Sequence, residues 1–404
     1  MQLPNKFLST ISIAASLALF GGAHAQDSPP TATPKTEPAA GKILQQVQIK
    51  GLLVIQLSAG KFAGGASQMN ATVVKSSKEF ELGFNQEVGD LMQKATVEVD
   101  KFIRVRYVGK LPSNTRIEFS FADKYSPKDG PSAAVVCALM VDSILSGNAI
   151  DSNFAATGDM TAAGQVQPVG GVPSKIKGAI RKNCTHVGIP DKNAGSITDA
   201  YILDGIKSLY KIQVFTIKTF DEAHALAMLK RPENTQTALD EFAKIQDVLK
   251  KNEKFIFNSK VREKLKEVVK LAPNHLSARL LYLHSIKKGP KKLSLIGSIV
   301  GIDNAGEKFI NMMQDGSFTN GNGLQDDTLT DLVYELNRLR PTLDKRTIKY
   351  ADTFINISQF IKRYRGRKVF NDQLTRELRQ LANAIDIEKR RLLNDEDVRA
   401  ELME

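Results

Sequence analysis

Residues 43–57 are dominated by Val, Ile and Leu with partial alternation, a pattern that predicts one or two strands. The glycine-rich stretch 60–65 (GKFAGG) is expected to break them, and 68–75 predicts another strand. Val88, Leu91, Met92, Ala95, Val99, Phe102 and Ile103 recur at helical spacing, although Val97 and Val99 also alternate. Residues 116–121 alternate cleanly, with Ile117, Phe119 and Phe121 on one face. An apolar helix is predicted over 132–146, ending near Gly147-Asn148. Two short strands, 154–157 and 165–169, are expected around a turn at 162–164. Then follow a helix (174–182), a strand (186–189, closed by Pro190), a helix (196–209), a strand (212–217) and a helix (220–230). Helices alternating with short strands argue an α/β layer architecture.

From residue 232 the period changes to helical throughout, which predicts a separate all-α region over 232–404. Pro232 opens a helix carrying Leu239, Phe242, Ile245 and Leu249, and Val261, Leu265, Val268 and Val269 mark the next. The stretch from Leu271 through Pro273 to Leu283 has the look of one helix-hairpin repeat of the tetratricopeptide type, where an array needs about three. Further stripes run through Leu329–Leu339, 348–361 and 374–392. A loop at 315–327 is rich in Gly, Asn and Asp but lacks the EF-hand spacing. Residues 362–368 (KRYRGRK) read as a solvated helix end or as a contact for an anionic partner. His275 and His284 are expected at the surface or in packing.

Composition narrows the class. Of 404 residues, 42% are hydrophobic and 25% charged, which excludes a disordered, collagen-like or polytopic membrane chain. The net charge of +12 is shared between the two regions, so it does not argue for nucleic acid. Two cysteines exclude a disulfide scaffold or Cys-based zinc site, and five histidines without a His-Glu-x-x-His pattern argue against a zinc hydrolase. No cofactor or metal is expected.

The N-terminus has the form of a targeting segment. Lys6 precedes an apolar stretch (FLSTISIAASLALF, 7–20), and small residues Ala23 and Ala25 follow. This pattern predicts a cleavable secretory signal over 1–25, with an uncleaved anchor as the alternative. Residues 26–41 hold four prolines and little to bury, as in an extended linker. The expectation is export to periplasm or medium. Whether Cys137 and Cys184 pair there is left open by the sequence.

Three short segments carry chemistry. Pro127-Lys128-Asp129-Gly130-Pro131-Ser132 precedes the apolar helix. Alone it is a turn with a serine at a helix start; functionally, it is a serine nucleophile beside N–H groups able to hold an oxyanion. Thr157-Gly158-Asp159 ends a strand, and Gly164-Gln165-Val166-Gln167-Pro168-Val169-Gly170-Gly171 leads to Lys175, by itself an ordinary helix lysine. Together these segments resemble the proteolytic domain of Lon proteases, over about 43–230. The resemblance extends to Val88-Gly89-Asp90-Leu91-Met92-Gln93 and to His186-Val187-Gly188-Ile189-Pro190. Departures are mild: Ala134 for a usual glycine, Asp90 and Asp159 for glutamates, Pro173-Ser174 for a charged pair.

The resemblance implies a Lon-type α/β proteolytic domain (42–231), followed here by the helical domain (232–404). It implies a Ser132–Lys175 catalytic dyad, with Thr157 hydrogen-bonded to the lysine and Asp129 at the edge of the site, where holding the turn is an equal alternative. Such a site hydrolyses peptide bonds, and unfolded proteins or peptides are the expected substrates. No G-x-x-x-x-G-K-[ST] pattern occurs, so no nucleotide is expected and activity should be independent of ATP. Lon proteolytic domains form hexameric rings, which points to a homo-oligomer. The rival reading is a non-catalytic Lon-like scaffold whose helical region binds a protein partner. For lysine to act as base it must be neutral near working pH, against a reference pKa of about 10.4, so Lys175 is expected to be buried.

Overall fold

The computed structural model describes residues 45–58, 61–122, 130–314, 326–364, 372–396 and 398. The predicted signal and linker, Lys128, Asp129, most of the 315–327 loop and most of the basic run therefore lie outside the described residues.

A seven-stranded mixed sheet forms the frame, in the order β3-β4-β2-β1-β5-β8-β9. Strands β1 (Gln46–Ser58) and β2 (Lys61–Lys75) make a long antiparallel hairpin in which Ser58 pairs with Lys61. β4 (Thr115–Phe121) adds antiparallel to β2, and β3 (Phe80–Phe84) pairs parallel to β4 as the edge. On the other side β5 (Phe154–Ala156), β8 (His186–Pro190) and β9 (Gln213–Ile217) run parallel, each supplying consecutive buried positions. Ile117, Phe119 and Phe121 are fully buried, as their alternation predicts.

The helices of this half follow their apolar patterns: α1 (Asp90–Arg106), α2 (Ala134–Ser146), α3 (Val172–Arg181), α4 (Ala194–Asp204), α5 (Lys207–Tyr210) and α6 (Phe220–Ala227). Three expectations change. The 60–65 stretch does not end a strand but lies largely within β2, pairing Phe62 to Gly65 with Gln56 to Leu53. The helix expected over 196–209 breaks into α4 and α5 at Gly205, whose φ of 73° suits glycine. Strand 165–169 does not pair with 154–157. Its core, β7 (Val166–Gln167), makes a separate small hairpin with β6 (Asp159–Met160).

The packing runs past the end of the α/β pattern. Helices α7 (Glu233–Lys251), α8 (Ser259–Leu271) and α9 (Leu276–Ser285) share one continuous hydrophobic core with the sheet. The reason lies at β9, an edge strand that would otherwise expose unpaired backbone. Thr216 N–H donates to Asn274 O (2.9 Å), and Asn274 Nδ2 donates back to Thr216 O (3.0 Å). Val214 N–H donates to Ser277 Oγ (3.0 Å), which donates to Ile212 O (3.3 Å). His275 is fully buried between the rings of Phe215 and Phe242. The boundary at 231/232 thus marks a change of sequence period, whereas the compact unit takes in the described residues of 45–300, 341–348 and 390–398.

A second compact unit comprises the described residues of 301–340 and 349–389. It takes in the later part of α10 (Leu295–Gln314), a helix the periodicity reading does not pick out, with α11 (Asp326–Leu339), α12 (Ile348–Tyr364) and α13 (Asp372–Leu393). Phe354 is fully buried against Phe309 and Tyr350, and Asp303 accepts from Tyr350 Oη (2.6 Å) and Lys389 Nζ (2.8 Å).

Candidate active site

Ser132 sits in a single 3-10 turn, Pro131–Ala133, directly before α2. Gly130 enters that turn at φ 102°, a conformation that excludes most side chains. The serine is half-buried, while α2 behind it is largely apolar and buried along nearly its whole length. A helix so enclosed cannot shift easily, and it presents its N-terminal end beside Ser132.

Thr157 and Gly158 directly follow β5 and lie against this turn. Gly158 N–H donates to Ser132 O (2.9 Å), and Val135 N–H donates to Gly158 O (3.2 Å). Thr157 Oγ1 also donates to Ser132 O (3.2 Å). Thr157 is fully buried, and its own N–H reaches Gly188 O of β8 (3.2 Å). A Cβ on Gly158 would meet Val166 Cγ1 at 2.9 Å and Val135 Cγ2 at 3.2 Å, which explains a glycine directly after the threonine.

Lys175 lies on the buried face of α3 and is 4% exposed. Its Nζ donates to Thr157 Oγ1 at 3.1 Å. Ser132, Thr157 and Lys175, 43 residues apart from first to last (132 to 175), are thereby brought together. The lysine that composition alone would assign to solvent is inside the protein.

The close docking of α3 depends on residues that the motifs do not mark. A Cβ on Gly178 would lie 2.7–2.8 Å from backbone atoms of Gly65, and one on Gly64 would lie 1.4 Å from Ser174 O. Arg181 Nη2 donates to Gly64 O. Helix and strand therefore touch backbone to backbone, which only glycine permits. The glycines of 60–65 were visible in the sequence as breakers; their use as a docking surface was not.

The remaining candidates separate from this cluster. Asp159 begins β6, and its carboxylate accepts from Met160 N–H (2.7 Å). Burial, with Glu98 nearby, raises its pKa above the usual aspartate value. Cys137 and Cys184 are both free and buried, and burial pushes both thiols up. His284 packs against Tyr201 and Phe257, with Nδ1 2.9 Å from Tyr201 Oη.

Compared with known proteins, the α/β part of the chain is similar to one family. Residues 44–230 match the Lon protease (S16) C-terminal proteolytic domain. Lon protease of Rhizobium meliloti (strain 1021) is 30% identical over 149 residues, covering 36% of this chain and 18% of that protein. The archaeal Lon protease of Thermoplasma volcanium is 31% identical over 147 residues, 36% of this chain and 22% of that protein. Lon protease of Erwinia amylovora is 30% identical over 189 residues, 47% of this chain and 20% of that protein. The chain thus spans about a fifth of the length of these curated relatives. Residues 44–230 are a proteolytic domain of the Lon protease (S16) family, and the chain carries with them the fold of a serine-type peptidase.

Proposed function

We propose that this protein is an exported, ATP-independent serine endopeptidase that cuts unfolded proteins or peptides with a Ser132–Lys175 dyad. The observation that supports it best is the buried Lys175 amine hydrogen-bonded to Thr157, whose hydroxyl in turn holds the Ser132 carbonyl. A scaffold has little use for an amine in that place, because burying an ammonium group is costly. A base has every use for it, because burial disfavours the charged form.

In this mechanism the Ser132 hydroxyl attacks the scissile carbonyl carbon while Lys175 Nζ takes its proton. The tetrahedral oxyanion is held by backbone N–H groups of the turn at Ser132, beside the start of α2. Collapse breaks the C–N bond, and the Lys175 ammonium returns the proton to the leaving amine. Water then attacks the acyl-Ser132 ester, with Lys175 again accepting a proton and passing it to the Ser132 oxygen. Thr157 orients the amine, and the family resemblance alone assigns Asp129 a supporting part.

Independence from ATP rests on these 404 residues containing no P-loop pattern, and export on the 1–25 pattern. Without an unfolding motor the site would take flexible chains, and copies of the domain would assemble with one another. The test is cleavage of unfolded casein, without nucleotide, by wild type and Ser132→Ala. Loss of cleavage in the variant is expected. Equal cleavage by both would remove Ser132 from the mechanism, and no cleavage by either would favour the scaffold reading.

A further inference from the structure

We propose that Asn193 is a positioning residue for the dyad, holding the loop that launches α3 and with it Lys175. This rests on the peptidase reading above. Asn193 touches none of the reacting groups; it acts through the backbone.

The loop 168–171 has little to hold it in place. Pro168 has no N–H to offer, and Gly170 and Gly171 are the most permissive residues available. Gly171 caps α3 at φ 67°, and its carbonyl accepts from Lys175 N–H at 3.0 Å. Any drift of this loop therefore carries the first turn of α3 with it. Val169 in the middle is 1% exposed, so its backbone polar groups cannot turn to water and need partners inside.

Asn193 supplies both partners. Val169 N–H donates to Asn193 Oδ1 at 2.9 Å, and Asn193 Nδ2 donates to Val169 O at 3.0 Å. One primary amide thus pairs with one residue's donor and acceptor, as a neighbouring strand would. The side chain is 1% exposed, so neither bond is diluted by solvent. An amide fits for a stated reason: it is the short side chain that presents one acceptor and one donor on the same plane.

The position of Asn193 in the chain gives the clamp its use. It ends the short 3-10 turn Asp191–Asn193, directly after β8. That strand also holds Thr157, through the bond from Thr157 N–H to Gly188 O. Both ends of the Lys175–Thr157 hydrogen bond are thus referred to one buried strand: the threonine directly, the lysine through Asn193, Val169 and Gly171. The two-bond clamp sets the axial position of α3, while the Gly65–Gly178 contact sets its distance from the sheet.

The experiment compares full-length wild type, Asn193→Ala, Asn193→Asp and a control, Gln246→Ala. Gln246 makes the same kind of buried bond, Nε2 to Tyr210 O at 2.9 Å, in α7. Each protein is treated with a p-nitrophenyl ester, and the rate of Ser132 acylation, read from the p-nitrophenol released, is followed against pH, beside a thermal melt. Asn193→Ala is expected to acylate at least ~10-fold more slowly at its plateau, as displaced catalytic groups do. The midpoint of its pH profile should move upward, since a less enclosed amine keeps its proton longer. Gln246→Ala should lose thermal stability with rate and midpoint unchanged. Asn193→Asp keeps the acceptor for Val169 N–H but faces Val169 O with an oxygen, and should be as slow as the alanine variant. If Asn193→Ala acylates with the wild-type rate and midpoint, or if it and Gln246→Ala slow alike, the assignment is wrong. If Asn193→Ala does not fold, Asn193→Asp carries the same reading; failure of both to fold makes Asn193 a folding residue and overturns the proposal. Absence of acylation in wild type removes the peptidase reading and this assignment with it, and is distinct from a defect confined to the variants.

Discussion

Replacing Gly178 by alanine adds one methyl group where α3 meets β2. That methyl carbon would lie 2.7 Å from Gly65 C and 2.8 Å from Gly65 N and O. All three are backbone atoms in a paired strand, so no side chain can swing aside. Ordinary carbon contacts are about 3.5–4.0 Å, so α3 must withdraw by about 1 Å. Lys175 is three residues away on the same helix and moves with it. Its 3.1 Å bond to Thr157 would open to about 4 Å, beyond useful hydrogen-bond length. A displacement of that size in a catalytic group costs about 100-fold in rate. Stability should change much less. Overpacking costs about 1–3 kcal/mol. Alanine returns about 1 kcal/mol in helix propensity. The assay is acylation by a p-nitrophenyl ester and casein cleavage beside a thermal melt. A rate within about twofold of wild type, with an unchanged or higher Tm, would show that α3 is not held by backbone contact.

Thr157→Val is nearly isosteric at a fully buried site and removes one acceptor of Lys175 together with a donor to Ser132 O. Loss of such a buried bond is expected to lower kcat by about 10–100-fold with little change in KM, measured on a peptide substrate. Stability should fall in mild acid because of two buried histidines. Burial lowers His186 to about 4 and His275 to about 3, so both are neutral when folded. The unfolded chain binds more protons below the usual 6.5, so their contribution is complete above 6.5 and is lost as pH falls toward 4 and then 3. His186 alone accounts for about 3 kcal/mol across that window; urea melts at pH 7 and 4.5 measure it, and equal midpoints would refute it. Phe242→Ala empties a fully buried position against His275 and should cost about 3–5 kcal/mol by chemical denaturation. A loss under about 1 kcal/mol would mean that α7 is not part of the core of the sheet.

Much of the candidate site was legible because its parts are local. A Pro-Ser before an apolar run, a Thr-Gly at a strand end and a glycine pair before a helix are each short-range patterns with few solutions. Their likeness to one family told which serine, threonine and lysine belong together. The 60–65 stretch shows the limit. Two adjacent glycines read as a break, because glycine weakens a strand when nothing leans on it. Here a helix does lean on it, and the same glycines are what let the helix approach. Asn193 was invisible for a related reason: a buried asparagine and a surface one look alike until the groups facing them are known.

By itself, then, the chain's residue order determined the alternation of strands and helices, the change to an all-helical period after 231 and the identity of the three polar side chains at the site. Those follow from local propensity, spacing and likeness, and need no knowledge of what lies opposite. Tertiary structure alone decided that 274–277 covers the β9 edge, that α7–α9 share the core of the sheet, and that Lys175 is buried against Thr157. Each of these is a long-range pairing between surfaces. An unpaired strand edge or an amine facing inward is costly until the distant segment arrives, and that segment carries no local mark of where it will go.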